Sequence, residues 1–173
     1  HPDSDRMDYY EGKLNHLWVD LFILDKLPEG KLASEMTRFI HKAIYGLAMG
    51  HRHDLDYSRY SLLHKIFVGG LATAGKLIPL KWIISMQKWA ALKDRKSKGS
   101  RWYYSNYQPD YLYVTLEDDW CTKTEDAPFE DTQLMIPKGY HQVLTEVYGD
   151  YMQLPPEDKR VPTHSSQQIR VFD

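Results

Sequence analysis

Cysteine is nearly absent from this 173-residue chain, and Cys121 is its one thiol. That excludes an intrachain disulfide and a multi-cysteine zinc site, and it fits a reducing compartment, where a lone cysteine reads as a small buried hydrophobe. Charge of one sign is lacking too: 22 Lys and Arg stand against 24 Asp and Glu, a formal net charge of -2. Such a balance gives no general attraction for nucleic acid or anionic lipid, so no nucleic-acid partner is expected and phosphate recognition must rest on local clusters. Long hydrophobic runs are missing as well. The most apolar region, from Ile66 to Ile84, is interrupted by Gly69-Gly70, Lys76, Pro79 and Lys81, short of the roughly 20 apolar residues a spanning helix needs. It reads as a core helix pair, while Lys76, Lys81, Trp82, Lys88 and Trp89 leave open a peripheral membrane contact. The first residues, His1-Pro2-Asp3-Ser4-Asp5, show no basic start followed by an apolar stretch. The expected location is therefore cytoplasmic, or the inner face of the membrane if that basic and aromatic mixture is used.

What is there reads as a single domain over residues 1–173 with room for a sizeable core. His16 to Asp25 is almost continuously apolar and predicts a central strand covered on both faces. After the break at Lys26-Leu27-Pro28-Glu29-Gly30, the residues Leu32, Met36, Phe39, Ile40, Ala43 and Leu47 recur at helical spacing until Gly50. A polar loop from His51 to Asp56 follows, then a second helix from about Ser58. Its small residues Gly69, Gly70, Ala72, Ala74 and Gly75 permit close backbone approach, and a third helix runs from Pro79 to about Lys93. The charged run from Lys93 to Arg101 is expected to be a mobile loop. Tyr111 to Leu116 reads as a strand or short buried run, and Phe129 to Ile136 as a hairpin. A helix from Tyr140 to Tyr148 stops at Gly149, and Pro155-Pro156 then predicts a stiff extended arm presenting Lys159 and Arg160. The tail beyond Pro162 reads as an arm with few ordered contacts.

Among residues able to carry chemistry, Asp20 is prominent because it is the only charge inside the apolar run before Asp25. A buried, unpaired carboxylate costs several kcal/mol. It therefore needs either a cation or backbone amides at a strand end or bulge. His51-Arg52-His53-Asp54 has ligand residue types without a second cluster, and reads as exposed and polar. Glu117-Asp118-Asp119 and Glu125-Asp126 read as a solvated edge, and Trp82, Trp89 and Trp102 as core or interface aromatics. Tyr148, Asp150, Tyr151, Lys159, Arg160 and His164 cluster near the C-terminus. There Arg160 suits a bidentate phosphate contact, and Tyr148 or Tyr151 an aromatic wall for a quaternary ammonium group.

The string Tyr148-Gly149-Asp150-Tyr151-Met152-Gln153-Leu154-Pro155-Pro156-Glu157-Asp158-Lys159-Arg160 resembles the C-terminal signature of the LicD family. The resemblance continues upstream through Phe129-Glu130-Asp131, Leu134-Met135-Ile136-Pro137 and Gly139-Tyr140, with a second anchor in His16 to Asp25. Members of that family transfer phosphocholine, or a related phospho-alcohol or phospho-sugar unit, from a nucleotide donor to a glycan. The resemblance implies an α/β (α+β) domain of nucleotidyltransferase-like fold, with a mixed sheet, a helical insertion over about 32–93, and a C-terminal hairpin, helix and arm. In that fold an acidic pair on one strand and a further acid on a neighbouring strand hold metal ions. Val19-Asp20-Leu21 fits the further position, so Asp20 is the implied catalytic and metal-binding residue and Mg2+ the implied ion. Asp131 is a secondary candidate, because the family places an acidic turn there.

The family's Asp-x-Asp pair does not occur ahead of Asp20. Asp3-Ser4-Asp5 has the spacing, but its polar surroundings read as a solvated terminus. The chain is thus expected to be the C-terminal portion of a LicD-like transferase, or a divergent member, incomplete without the upstream segment of the same protein. The implied partners are a CDP-linked donor such as CDP-choline and a glycan or sugar acceptor. Two other readings stand beside this one: a non-catalytic glycan-processing partner or nucleotide-binding module, and a helical module that docks its Ile66-to-Trp89 surface on membrane or protein.

Overall fold

The computed structural model describes residues 20–160, apart from 53, 54, 56, 59, 107, 158 and 159. Two compact units emerge, Leu21–Gly149 and a smaller one drawn from His1–Asp20 with Asp150–Asp173. The larger unit is mixed α+β, and its described residues form five α-helices and two small antiparallel sheets.

In the three-stranded sheet, β1 (Leu24–Lys26) pairs with β2 (Arg101–Tyr104), which pairs with β3 (Thr115–Glu117). Alternation along β2 turns Tyr103 wholly inward, where it packs with Leu27 and with Leu112 of the 3-10 helix Pro109–Tyr113. The expected strand from His16 to Asp25 is corrected here: β1 starts only at Leu24 and lies at a sheet edge, while residues 16–19 fall outside the described residues. Leu21, Phe22 and Ile23 are exposed instead of being covered on both faces. A side chain holds this segment in place of a neighbouring strand. Asn106 Nδ2 donates to the Leu21 carbonyl (2.8 Å) and its Oδ1 accepts the Ile23 N–H (2.9 Å), in the manner of a ladder partner.

Helix α1 (Lys31–Met49) ends at Gly50, as its spacing predicts. Its inward face is the expected one only in the second half, through Ile40 and Leu47. Leu32, Met36 and Phe39 are exposed, and the residues turned inward include Ser34, Thr37, Arg38 and His41. That inversion is stable because each buried polar group has a partner. Ser34 donates to the Pro28 carbonyl, Thr37 to Asp94, and Arg38 Nε to the Leu112 carbonyl. The apolar contribution of α1 comes later in the helix, where Ile44 packs with Ile83 and Ala90, flanked by Ile40, Leu47, Ala48 and Ile78.

Helices α2 (Leu62–Lys76) and α3 (Leu80–Leu92) meet at a bend of 119° just before Pro79. The expectation that Ile66 to Ile84 is core is overturned. Only Ala72, Gly75 and Ile83 within it are buried, and Ile66, Phe67, Leu77, Trp82 and Ile84 are exposed. Small residues bring the backbones of α1 and α2 so close that their larger neighbours are turned away from the contact. No single helix among the described residues is long and apolar enough to cross a membrane. The run after α3, expected to be mobile, is tied at both ends. Lys93 bonds to Thr37 and Asp94, and the Gly99 carbonyl accepts from Lys26 (3.1 Å).

Downstream, α4 (Asp118–Cys121) leads into the hairpin of β4 (Thr124–Phe129) and β5 (Thr132–Pro137), and α5 (Tyr140–Tyr148) stops at Gly149, whose φ is 72°. Glu130 turns the hairpin with φ 50°. In the smaller unit, the Asp150 backbone carbonyl accepts from the Gln153 N–H (3.2 Å). Beyond Pro155-Pro156 the chain does not stay extended: the Arg160 N–H donates to the Glu157 carbonyl (3.2 Å) and its Nε to the Pro155 carbonyl (2.7 Å).

Candidate functional site

Asp20 is exposed and precedes β1, so its carboxylate is not the buried strand residue that the sequence suggests. Asp131 is exposed in the β4–β5 turn, and Tyr148, the last residue of α5, is also exposed. These two belong to the larger unit, whereas Asp20, Asp150, Tyr151 and Arg160 belong to the smaller one. Asp150 and Arg160 are exposed and Tyr151 is half-buried. Lys159 and His164 lie outside the described residues. Among the described residues, no group of three or more His, Cys, Asp or Glu could hold a metal ion. One exposed carboxylate is not a magnesium site by itself, so the described residues alone do not form the centre that the resemblance implies.

Among the described residues, an organised polar assembly lies elsewhere, along the inward face of α1. Gln87 donates through its side-chain nitrogen to the Ser105 carbonyl, which turns its Oε1 toward His41 Nδ1 (3.0 Å). His41 Nδ1 must then carry the proton, and Nε2 accepts from the Tyr103 hydroxyl (2.8 Å). Ser105 in turn donates to Asp25 Oδ2. Burial is the main cause that lowers the His41 pKa and the main cause that raises the Tyr103 pKa, so both rings are held neutral. Beside this network opens a cavity of about 340 Å3, with apolar walls from Ile44, Leu80, Ile83 and Ile84 and with Tyr45 and Arg52 also in its lining. Arg52 donates to the Tyr45 hydroxyl (2.7 Å) and lies over its ring. Of the residues weighed for chemistry in the sequence, Arg52 lines this cavity, and none of the described residues of the implied metal and substrate site does.

Two further charged groups were not legible beforehand. Arg38 spends its guanidinium on the Leu112 carbonyl, Glu35 and Thr115, and stacks over Tyr113, which Lys42 also covers from one turn further along α1. Asp118, expected in a solvated edge, accepts from Lys26 (2.6 Å) and from the Trp102 indole (2.7 Å), with Lys26 over the indole ring. The Lys26 bond, then the indole bond, holds the Asp118 carboxyl below its ordinary pKa. Only the helical period of His41 with Ile44, and of Arg38 with His41, could have marked the inward face of α1. Neither partner across the fold can be read from local spacing.

Against this geometry stand the comparisons with known proteins. The chain is a homologue of a cholinephosphotransferase: it is 53% identical to that relative across an alignment of 170 residues that covers 89% of this chain. That relative is the lipopolysaccharide cholinephosphotransferase LicD of Haemophilus influenzae, and the match covers 57% of its length. The chain thus spans somewhat more than half of the protein it matches. No family model matches the chain, and no solved structure does.

Proposed function

We propose that the intact protein transfers a phosphocholine-type group from a CDP-linked donor such as CDP-choline to a hydroxyl of a cell-surface glycan precursor, with lipopolysaccharide as the favoured acceptor class. The observation that carries this reading is the 53% identity to LicD over 89% of the chain. The C-terminal signature from Tyr148 to Arg160, read from the sequence independently, lies in the same chain. The proposed fold of the whole is nucleotidyltransferase-like, with the described α+β unit as its C-terminal part, working at the cytoplasmic side of the membrane.

In this reading Asp20 contributes one carboxylate to a magnesium centre completed by acids that this chain does not supply. Its exposure leaves it accessible to such partners. Arg160 contacts a donor phosphate through its terminal nitrogens, since Nε is engaged by the Pro155 carbonyl. Tyr148 and Tyr151 offer aromatic faces for a trimethylammonium group, a pairing whose attraction comes from the ring quadrupole. Asp131, Asp150, Lys159 and His164 are the remaining proposed substrate contacts.

Transfer of labelled phosphocholine from CDP-choline to lipopolysaccharide tests the proposal, using the 173-residue chain and a version extended to the full span of the LicD relative. The extended protein should transfer and the shorter chain should not. Asp20→Asn in the extended protein should abolish turnover without unfolding it. Full activity of that variant would falsify the role of Asp20, and inactivity of a folded, extended wild type on every CDP-linked donor would overturn the reaction class.

A further inference from the structure

Helices α2 and α3 present an outer face whose composition differs from the rest of the protein. Between Ser61 and Leu92 there is no Asp or Glu, while Lys65, Lys76, Lys81 and Lys88 all lie there, in a chain whose net charge is -2. Every one of these lysines is exposed. On α3, Trp82, Met86 and Trp89 recur at i, i+4 and i+7, so they form one stripe, and the two indoles are 62% and 60% exposed. Lys81 and Lys88 run along the edge of that stripe at the same seven-residue spacing. On α2, Leu62 with Ile66 and Leu63 with Phe67 are exposed i, i+4 pairs, and Leu77 at the bend is 86% exposed.

The hydroxyls on this face are already spoken for. Thr73 donates to the Gly69 carbonyl (2.8 Å) and Ser85 to the Lys81 carbonyl (2.9 Å), each four residues back in its own helix. They therefore need no water, and their transfer to an apolar medium costs little. The exposed apolar stripe of α1, Leu32, Met36 and Phe39, has Glu35 in its midst and lacks tryptophan.

We propose that the outer face of α2 and α3 docks on an anionic lipid bilayer, with Leu77, Trp82 and Trp89 in the headgroup region and Lys76, Lys81 and Lys88 against acidic headgroups. Indoles belong at that depth, lysine stems extend their ammonium groups toward water and phosphate, and the absence of acids removes the repulsion that anionic lipid exerts elsewhere on this protein. The 119° bend means that the pair does not form one straight rod. A second copy of the chain fits less well, because two such faces would bring like charges together.

Flotation of the 173-residue chain with vesicles tests this directly, using phosphatidylcholine alone and equal parts phosphatidylcholine and phosphatidylglycerol. The protein should float with the anionic vesicles and stay behind with the neutral ones, its tryptophan emission shifting to the blue and quenched by lipids brominated near the headgroup. Lys81→Gln with Lys88→Gln should weaken partitioning about 30-fold, the product of two surface charges. Lys123→Gln with Lys138→Gln removes the same charge from exposed positions near the hairpin and should change it little. Circular dichroism establishes that each variant is folded. Failure of the folded wild type to float, equal losses in the two lysine pairs, or a concentration-dependent dimer that hides Trp82 and Trp89 without lipid would each overturn the proposal.

Discussion

A β-carbon placed on Gly75 would stand 1.9 Å from the carbonyl oxygen of Leu47, so α2 touches α1 there backbone to backbone. Gly75→Ala should force the helices apart and cost about 3 kcal/mol or more, at the upper end for overpacking. Gly69, in the same helix, has nothing within 4 Å of such a carbon, so Gly69→Ala should instead stabilise by about 0.5 to 1 kcal/mol through helix propensity. Urea denaturation of the two variants checks both signs.

Arg38 ties α1 to the 3-10 helix and to β3 through the Leu112 carbonyl and Thr115. Arg38→Leu leaves that carbonyl without its charged donor and should destabilise by about 2 to 3 kcal/mol. Arg38→Lys should recover less than half of the loss, because an ammonium cannot reproduce the planar fork. The same denaturation series measures both.

His41 sets a pH dependence with a definite sign. Its folded pKa is lowered, chiefly by burial, so the unfolded chain binds more protons than the folded one as pH falls through the ordinary histidine range. The contribution to stability is complete above about pH 6.5 and declines below it, as linkage requires. Between about pH 7 and 5.5, His41→Gln should show a shallower fall in thermal midpoint than wild type. Parallel curves would mean that other groups set the slope.

Arg160 is exposed, and its Nε bond is local to the arm. Arg160→Ala should therefore leave the melting temperature unchanged within error while weakening CDP-choline binding in the extended protein by about 1.5 to 3 kcal/mol, the range for one charge-assisted contact. Calorimetry on wild type and variant gives the comparison, and equal affinities would remove Arg160 from the donor site.

Helix limits were legible where local chemistry fixes them. Gly50 and Gly149 end α1 and α5 and Pro79 precedes α3, all from signals within a few residues, whereas the hairpin begins at Thr124, ahead of the expected Phe129, and turns after Phe129. The inward face of α1 was not legible, because periodicity reports that a helix has two faces while partners across the fold decide which is buried. Here those partners are Leu112, Gln87, Tyr103 and Asp94. The extent of β1 escaped for a similar reason. Residues 21–23 have strand-like composition, yet it is the amide of Asn106, over eighty positions away, that pairs with them. Of the candidate site, the sequence named the residue types of the C-terminal signature but not the turn beyond Pro156 that brings Arg160 back onto Pro155.

At the end of α1, His51 Nε2 lies 2.9 Å from each of two carbonyl oxygens, that of Gly75 in the last turn of α2 and that of Ile78 in the link to α3. Lengthening α1 by one residue would swing that imidazole about 100° around the helix axis and carry it off both acceptors. Relatives of this chain should therefore hold the residue count of α1 constant.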